Sequence, residues 1–160
     1  MVSHFLLISL PTSYLLYSCR IMQTAGARGS ERDVFYVSTS GWDTHSDMDI
    51  RLADKFTEMN NAIGGFVAEL RALNLFDSTV LVQFSEFSRT LDPNTGGGSD
   101  HAWGGQHFML GGKVKGGKVL GSYPDSFEKG PDNEIILSRG RVVPTTPWDG
   151  EYDSFCLLSY

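Results

Sequence analysis

Cysteine, positive charge and long apolar runs are what this sequence has least of. Two cysteines, Cys19 and Cys156, stand near opposite ends of the 160 residues. Two thiols allow at most one disulfide, which is no framework for a small disulfide-built fold. Neither lies in a CxxC pair, which argues against a thiolate zinc site. Lysine and arginine number 13 against 19 aspartates and glutamates, a net charge of −6, and no basic stretch offsets it. Nucleic acid is therefore excluded as an expected partner. No apolar segment reaches the roughly 18–20 residues needed to cross a bilayer as a helix. Repeats, low-complexity linkers and regular metal motifs such as HExxH are also missing.

What is present is the composition of a globular domain, 41% hydrophobic and 20% charged, at a length that can bury one core. The opening run "FLLISLPTSYLLYSC" is apolar enough for a signal-like segment. However, no Lys or Arg precedes it, Pro11 interrupts it, and no A-x-A cleavage site follows cleanly. A buried helix, or a displaced start codon, accounts for residues 1–18 equally well. "CRIMQTAGAR" (19–28) reads as the end of a helix and "GSER" as a turn.

"DVFYVSTS" (33–40) has the β-branched and aromatic content of a buried strand and stops at Gly41. Leu52, Phe56, Met59, Ile63, Val67, Leu70 and Leu73 then recur at spacings of three and four, which predicts a long helix with one apolar stripe. Ser46 or Asp47 is its expected cap, and Gly64-Gly65 is expected to permit close packing on the sheet. "NLFDS" closes the helix, and "TVLVQFS" (79–85) is a second buried strand. Strand, helix and strand with short joins make a βαβ unit with a right-handed crossover. "QHFMLGG" and "GKVLGSYP" are expected to form further short strands, and "RGRVVPTTPWD" a loop.

Ligands of open α/β sheets bind beyond the carboxyl ends of the strands, and polar residues gather where these two strands end. The first runs into "GWDTH", giving Asp43 and His45; the second runs into "SEFSRT", giving Glu86, Arg89 and Thr90. The loop that follows, "GGGSDHAWGGQHFMLGG", has seven glycines in seventeen residues and carries Asp100, His101 and His107. Three carboxylates and three imidazoles at one edge suit a divalent metal, zinc among the candidates. The cation would relieve carboxylate repulsion and polarise a phosphoryl or sulfuryl oxygen, and Arg89 would clamp an oxyanion. Plainer readings compete. Asp43 could cap a turn, His45 could open the long helix, Glu86 could pair only with Arg89, and His107 could be a core histidine. Trp42 and Trp103 are expected to pack rather than bind, and Ser85 and Ser99 to be packing hydroxyls rather than nucleophiles.

The segments "RDVFYVSTSGWDTHSD", "SEFSRT", "GGGSDHAWGGQHFMLGGKVKGGKVLGSYP" and "RGRVVPTTPWD" resemble the domain-of-unknown-function 1501 family, related to the alkaline phosphatase and sulfatase superfamily. The resemblance spans roughly residues 19–149. It implies an α/β/α sandwich around a mostly parallel sheet, and an exported, extracytoplasmic location. By the same likeness, Asp43 and His45 would serve one metal position, Glu86 would stand where the superfamily has an aspartate, and Asp100 and His101 would complete the site. The chain departs from the superfamily in placing Asp-His fourteen residues after Glu86-Phe87, not directly after the strand. The nucleophile-bearing half has no counterpart here, so the chain reads as an incomplete, C-terminal portion of such a domain. Residues 150–160 are an unmatched tail. The expected activity is metal-dependent hydrolysis of phosphate or sulfate esters, with a small-molecule ester or anionic glycan as partner. The alternative is a non-catalytic anion-, glycan- or partner-binding member.

Overall fold

The computed structural model of the protein describes residues 3–7 and 12–147; Cys156 and the tail from 150 lie outside them. The chain divides into two compact units. One takes the chain up to Asp43, then Ile50–Phe84 and His107–Val114; the other takes Thr44–Asp49, Ser85–Gln106 and the chain from Lys115 onward.

The first unit is a four-stranded sheet with helices. Its strands are β1 (Ser3–Leu7), β2 (Arg32–Tyr36), β3 (Thr79–Gln83) and β6 (Phe108–Gly111), in the spatial order β2-β1-β3-β6. β1 runs parallel to both β2 and β3, in register Leu7↔Tyr36 and Leu7↔Val82, whereas β6 is antiparallel to β3. The two strands expected from the sequence therefore do not pair directly. The segment read as signal-like or as a buried helix supplies the strand between them, followed by helix α1 (Thr12–Gln23). The carboxyl ends of β2 and β3 still lie at one edge of the sheet.

α1 buries Leu15, Ser18, Cys19 and Met22, the i, i+3, i+4, i+7 pattern of a single helical face. A short helix α2 (Ala25–Arg28) ends at Gly29, whose φ of 63° places it in the left-handed cap region. Arg28 then reaches forward to Asp33 of β2 through its two terminal guanidinium nitrogens, at 3.0 and 2.5 Å.

The long helix α3 (Met48–Ala72) ends at Asn74, whose φ is 56°. Leu75 N–H bonds to the Leu70 carbonyl at 2.8 Å and Asn74 N–H to that of Arg71 at 3.1 Å, the paired bonds of a Schellman cap. The buried positions are Ala62, Phe66 and Leu70; of the predicted stripe Leu70 is buried and Met59 and Leu73 pack against the core, while Phe56 is exposed. Twenty-five residues of helix extend about 37 Å, while strands of five residues cover about 17 Å. Phe56 accordingly stays 53% exposed and meets the edge of Trp42, centroids 5.4 Å apart. Gly64 is exposed and a Cβ there would touch nothing, so close packing on the sheet is not its role.

The core of this unit is Leu15, Cys19, Met22, Ala62, Phe66, Leu70 and Leu81, with Phe35, Met59, Leu73 and Leu110 against it. Each large side chain buried here contributes about 1.5–3 kcal/mol. Cys19 is a free thiol. Burial, and next the charge of Glu69, push it from its usual 9.0 to about 11.

The second unit is built from short pairings: β4 (Ser88–Arg89) with β5 (His101–Ala102), and β7 (Ile136–Leu137) with β8 (Arg141–Val142), both antiparallel. No strand forms over residues 113–122, so "GKVLGSYP" is irregular rather than extended.

Candidate functional site

The β4–β5 hairpin pairs Arg89 with His101 and brackets the loop 90–100. Thr90 closes that loop: its N–H donates to the Asp100 carbonyl at 2.9 Å, and its Oγ1 accepts from Asp100 N–H at 3.0 Å. Asn94 shapes the interior. Its Oδ1 accepts from the N–H groups of Gly96 (2.9 Å) and Gly98 (3.0 Å), a side-chain imitation of a backbone turn. Its Nδ2 donates to the His45 carbonyl at 3.0 Å and to Asp100 Oδ1 at 3.2 Å.

Residues 44–46 lie against this loop, with Ser99 N–H donating to the Thr44 carbonyl at 3.3 Å and Ser46 bridged to Gly97. Gly98 makes that approach possible. A Cβ at this position would fall 2.3 Å from the His45 carbonyl carbon and 2.4 Å from the Thr44 oxygen. The glycines of the loop are thus contact points, at least here, rather than slack.

Asp100 is the centre of the polar network. Its Oδ1 lies 3.1 Å from His45 Nδ1 and accepts from Asn94; its Oδ2 pairs with Arg139 Nη1. The carboxyl is held below its ordinary range by the Asn94 amide first, opposed by partial desolvation, and then by the His45 hydrogen bond and the Arg139 charge. Arg139 stands in the turn between β7 and β8 at φ 63°, an uncommon, strained conformation for a residue with a Cβ. The turn is tied down beside it. Leu91 N–H donates to the Gly140 carbonyl at 2.9 Å, and Gly140, at φ 69°, has no room for a side chain, since a Cβ would lie 2.7 Å from that of Leu91.

Ring contacts continue outward from the carboxylate. His45 stacks on His101 with centroids 5.2 Å apart and planes at 25°; His101 stacks on Phe87 at 4.0 Å and 4°. The Arg89 guanidinium lies 5.1 Å from the Phe87 ring centroid and donates to the Ser99 carbonyl at 2.7 Å. Such stacks are worth about 0.5–1.5 kcal/mol each beyond burial, enough to hold two imidazoles side by side.

Of the residues singled out in the sequence, His45, Asp100 and His101 come together, with Arg89 reaching them through Phe87. Glu86 is exposed and is not among the partners of Asp100, His45 or Arg89 described above. Asp43, exposed, and His107, half-buried before β6, belong to the sheet unit; Asp43 relates to His45 by its place in the chain, next but one before it. Trp103 is 60% exposed rather than packed. Ser99 is buried, its Oγ 3.5 Å from Met48 Sδ, as expected of a packing hydroxyl. Sequence reading misses Asn94, Phe87 and Arg139. The Asn-x-Gly-Gly-Gly run and the Arg-Gly pair were the available signals, and both mark turns with left-handed residues.

Residues 17–134 match the family model described as "Protein of unknown function (DUF1501)", and the chain belongs to that family. Comparison with curated proteins and with solved structures finds no match. Among the described residues, no helix is long and apolar enough to cross a membrane.

Proposed function

We propose that the protein is a metal-dependent hydrolase domain acting on phosphate or sulfate esters, in an alkaline-phosphatase-like α/β/α sandwich of which this chain is a part. The observation that carries this reading is the pair of stacked imidazoles, His45 and His101, beside a carboxylate held ionised by Asn94, His45 and Arg139. Imidazole pairs next to ionised carboxylates are the chemistry of zinc and related divalent ions. His45 and His101 would hold the ion; Asp43, flanking His45 in sequence, stays a candidate carboxylate on that ground. When bound, such an ion polarises an ester oxygen and lowers the pKa of a water. Around it, Phe87 fixes the plane of His101, and Arg89 brings positive charge that an anionic ester needs.

Zinc content and aryl phosphate and aryl sulfate hydrolysis, measured on the full-length protein with and without His101→Ala, test the proposal. Loss of both on substitution is expected. Unchanged metal content and turnover in the variant would sink it.

A second reading, a non-catalytic anion- or glycan-binding member, is favoured by one observation. The hydroxyl next to Asp100, that of Ser99, is buried against Met48 and is not presented as a nucleophile. Ligand binding with no hydrolysis by the full-length protein would select it.

A further inference from the structure

The geometry points to Asp100 as a positioning residue for His45, not a metal ligand, and to Arg139 and Asn94 as the groups that fix it in that task. The inference rests on the metal reading above and assigns a division of labour within it. A carboxylate that ligates an ion must offer it an oxygen. Here Oδ1 already takes two donors, His45 Nδ1 at 3.1 Å and the Asn94 amide at 3.2 Å, and Oδ2 faces the Arg139 guanidinium, whose positive charge opposes a cation at its remaining lone pair. An ionised carboxylate only accepts hydrogen bonds, so His45 must carry its proton on Nδ1 to make this contact. In the neutral ring Nε2 then carries the lone pair. Metal-binding histidines characteristically donate their other ring N–H to a carboxylate in this way, which fixes tautomer and raises ligand basicity.

The structure also explains why two further residues are committed to one carboxylate. Asn94 spends one amide hydrogen on the His45 carbonyl and one on Asp100, tying the backbone of the histidine and the group that orients its ring to the same side chain. Arg139 comes from a remote turn held in a left-handed conformation and anchored to Leu91 through the Gly140 carbonyl. The "RGR" of the sequence thereby acquires a role, with Arg139 as a support for His45 acting through Asp100.

The test uses the full chain with 15N-labelled histidine, observed by long-range proton–nitrogen correlation with and without Zn2+, alongside Zn2+ titration. In the unsubstituted protein His45 is expected as the Nδ1–H tautomer, and to keep that proton when Zn2+ binds through Nε2. Asp100→Ala is expected to release the tautomer and lower Zn2+ affinity about 10- to 100-fold. Arg139→Met, at a position outside the β4–β5 hairpin, is expected to shift both readouts in the same direction by less. Zn2+ on His45 Nδ1, or a tautomer and affinity unmoved in both variants, would overturn the inference. A protein that shows the tautomer and its loss in Asp100→Ala, yet binds no Zn2+, would overturn the metal reading and leave the positioning role standing.

Discussion

The two units are held together by different forces. The sheet unit buries Leu15, Met22, Phe66, Leu70 and Leu81 in one apolar cluster. The unit carrying Asp100 buries, among the described residues, Ala102 and Ile136 against the hydroxyl residues Thr44, Thr90 and Ser99. Its order comes instead from directional bonds that converge on two side chains, Asn94 and Asp100. Apolar packing is tolerant of small changes in shape, whereas hydrogen-bonded loops fix atoms in place and fail when one partner goes. A site that must aim an imidazole belongs in the second kind of structure.

That contrast can be broken most forcefully at Phe66. Phe66→Ala should cost about 3–5 kcal/mol, read by chemical denaturation, with amide exchange rising first in β3 and α3. An equal rise across residues 90–100 would show one cooperative body and dissolve the distinction. Next in size is Gly98→Ala, where the added carbon must displace the backbone of residues 44–45. A loss of about 1–3 kcal/mol is expected, together with loss of the His45–Asp100 contact by histidine NMR. Asn94→Ala removes the four bonds that shape the loop at a cost of about 1–2 kcal/mol, seen as faster exchange at Gly96 and Gly98. Gly64→Ala lies in an open, exposed helical position and should stabilise the sheet unit by up to about 1 kcal/mol, leaving loop amides unchanged.

The smallest effect sharpens the comparison by pH. The Asp100 carboxyl is depressed from its ordinary value of 3.8, so the native state binds its proton less readily than the unfolded chain. The stability it contributes is complete above that ordinary value and is lost as pH falls through the lowered one. Exchange at residues 94–100 should quicken across that range and be flat in Asp100→Asn. At the opposite end of the scale, Cys19, raised to about 11, makes its contribution below about 9 and loses it as pH rises toward 11. The sheet unit should therefore respond to alkali, and native Cys19 should resist alkylation at neutral pH.

Much of the sheet unit was legible because its signals are local. The run after "NLFDS" became β3 and the three- and four-residue spacing became α3, whereas the run 33–40, expected as a buried strand, became β2, which stops at Tyr36 and, at the end of the strand order, leaves Val34 and Tyr36 exposed. β1 was not, since a short apolar run carries no period that separates strand from helix, and its parallel partners lie far along the chain. Periodicity also placed the helix stripe too early, because it takes no account of how much sheet there is to cover. In the site, His45, Asp100 and His101 stood out by residue type. Asn94 and Arg139 did not, since their importance lies in where their donors point. Glu86 and Asp100 look alike as carboxylates in the sequence, which carries no sign that Asp100 meets three donors while Glu86 is exposed.

The turn that carries Arg139 has a consequence for the order of events during synthesis. His45 emerges from the ribosome early, its hydrogen-bonding partners Asn94 and Asp100 some fifty residues later, and the guanidinium that completes the set only at position 139. At translation rates of about 5–20 residues per second, several seconds separate the first member from the last. The sheet strands β1, β2 and β3 can pair well before then. The imidazole is therefore aimed last, and a nascent chain stopped short of residue 139 would hold His45 without the clamp that orients it.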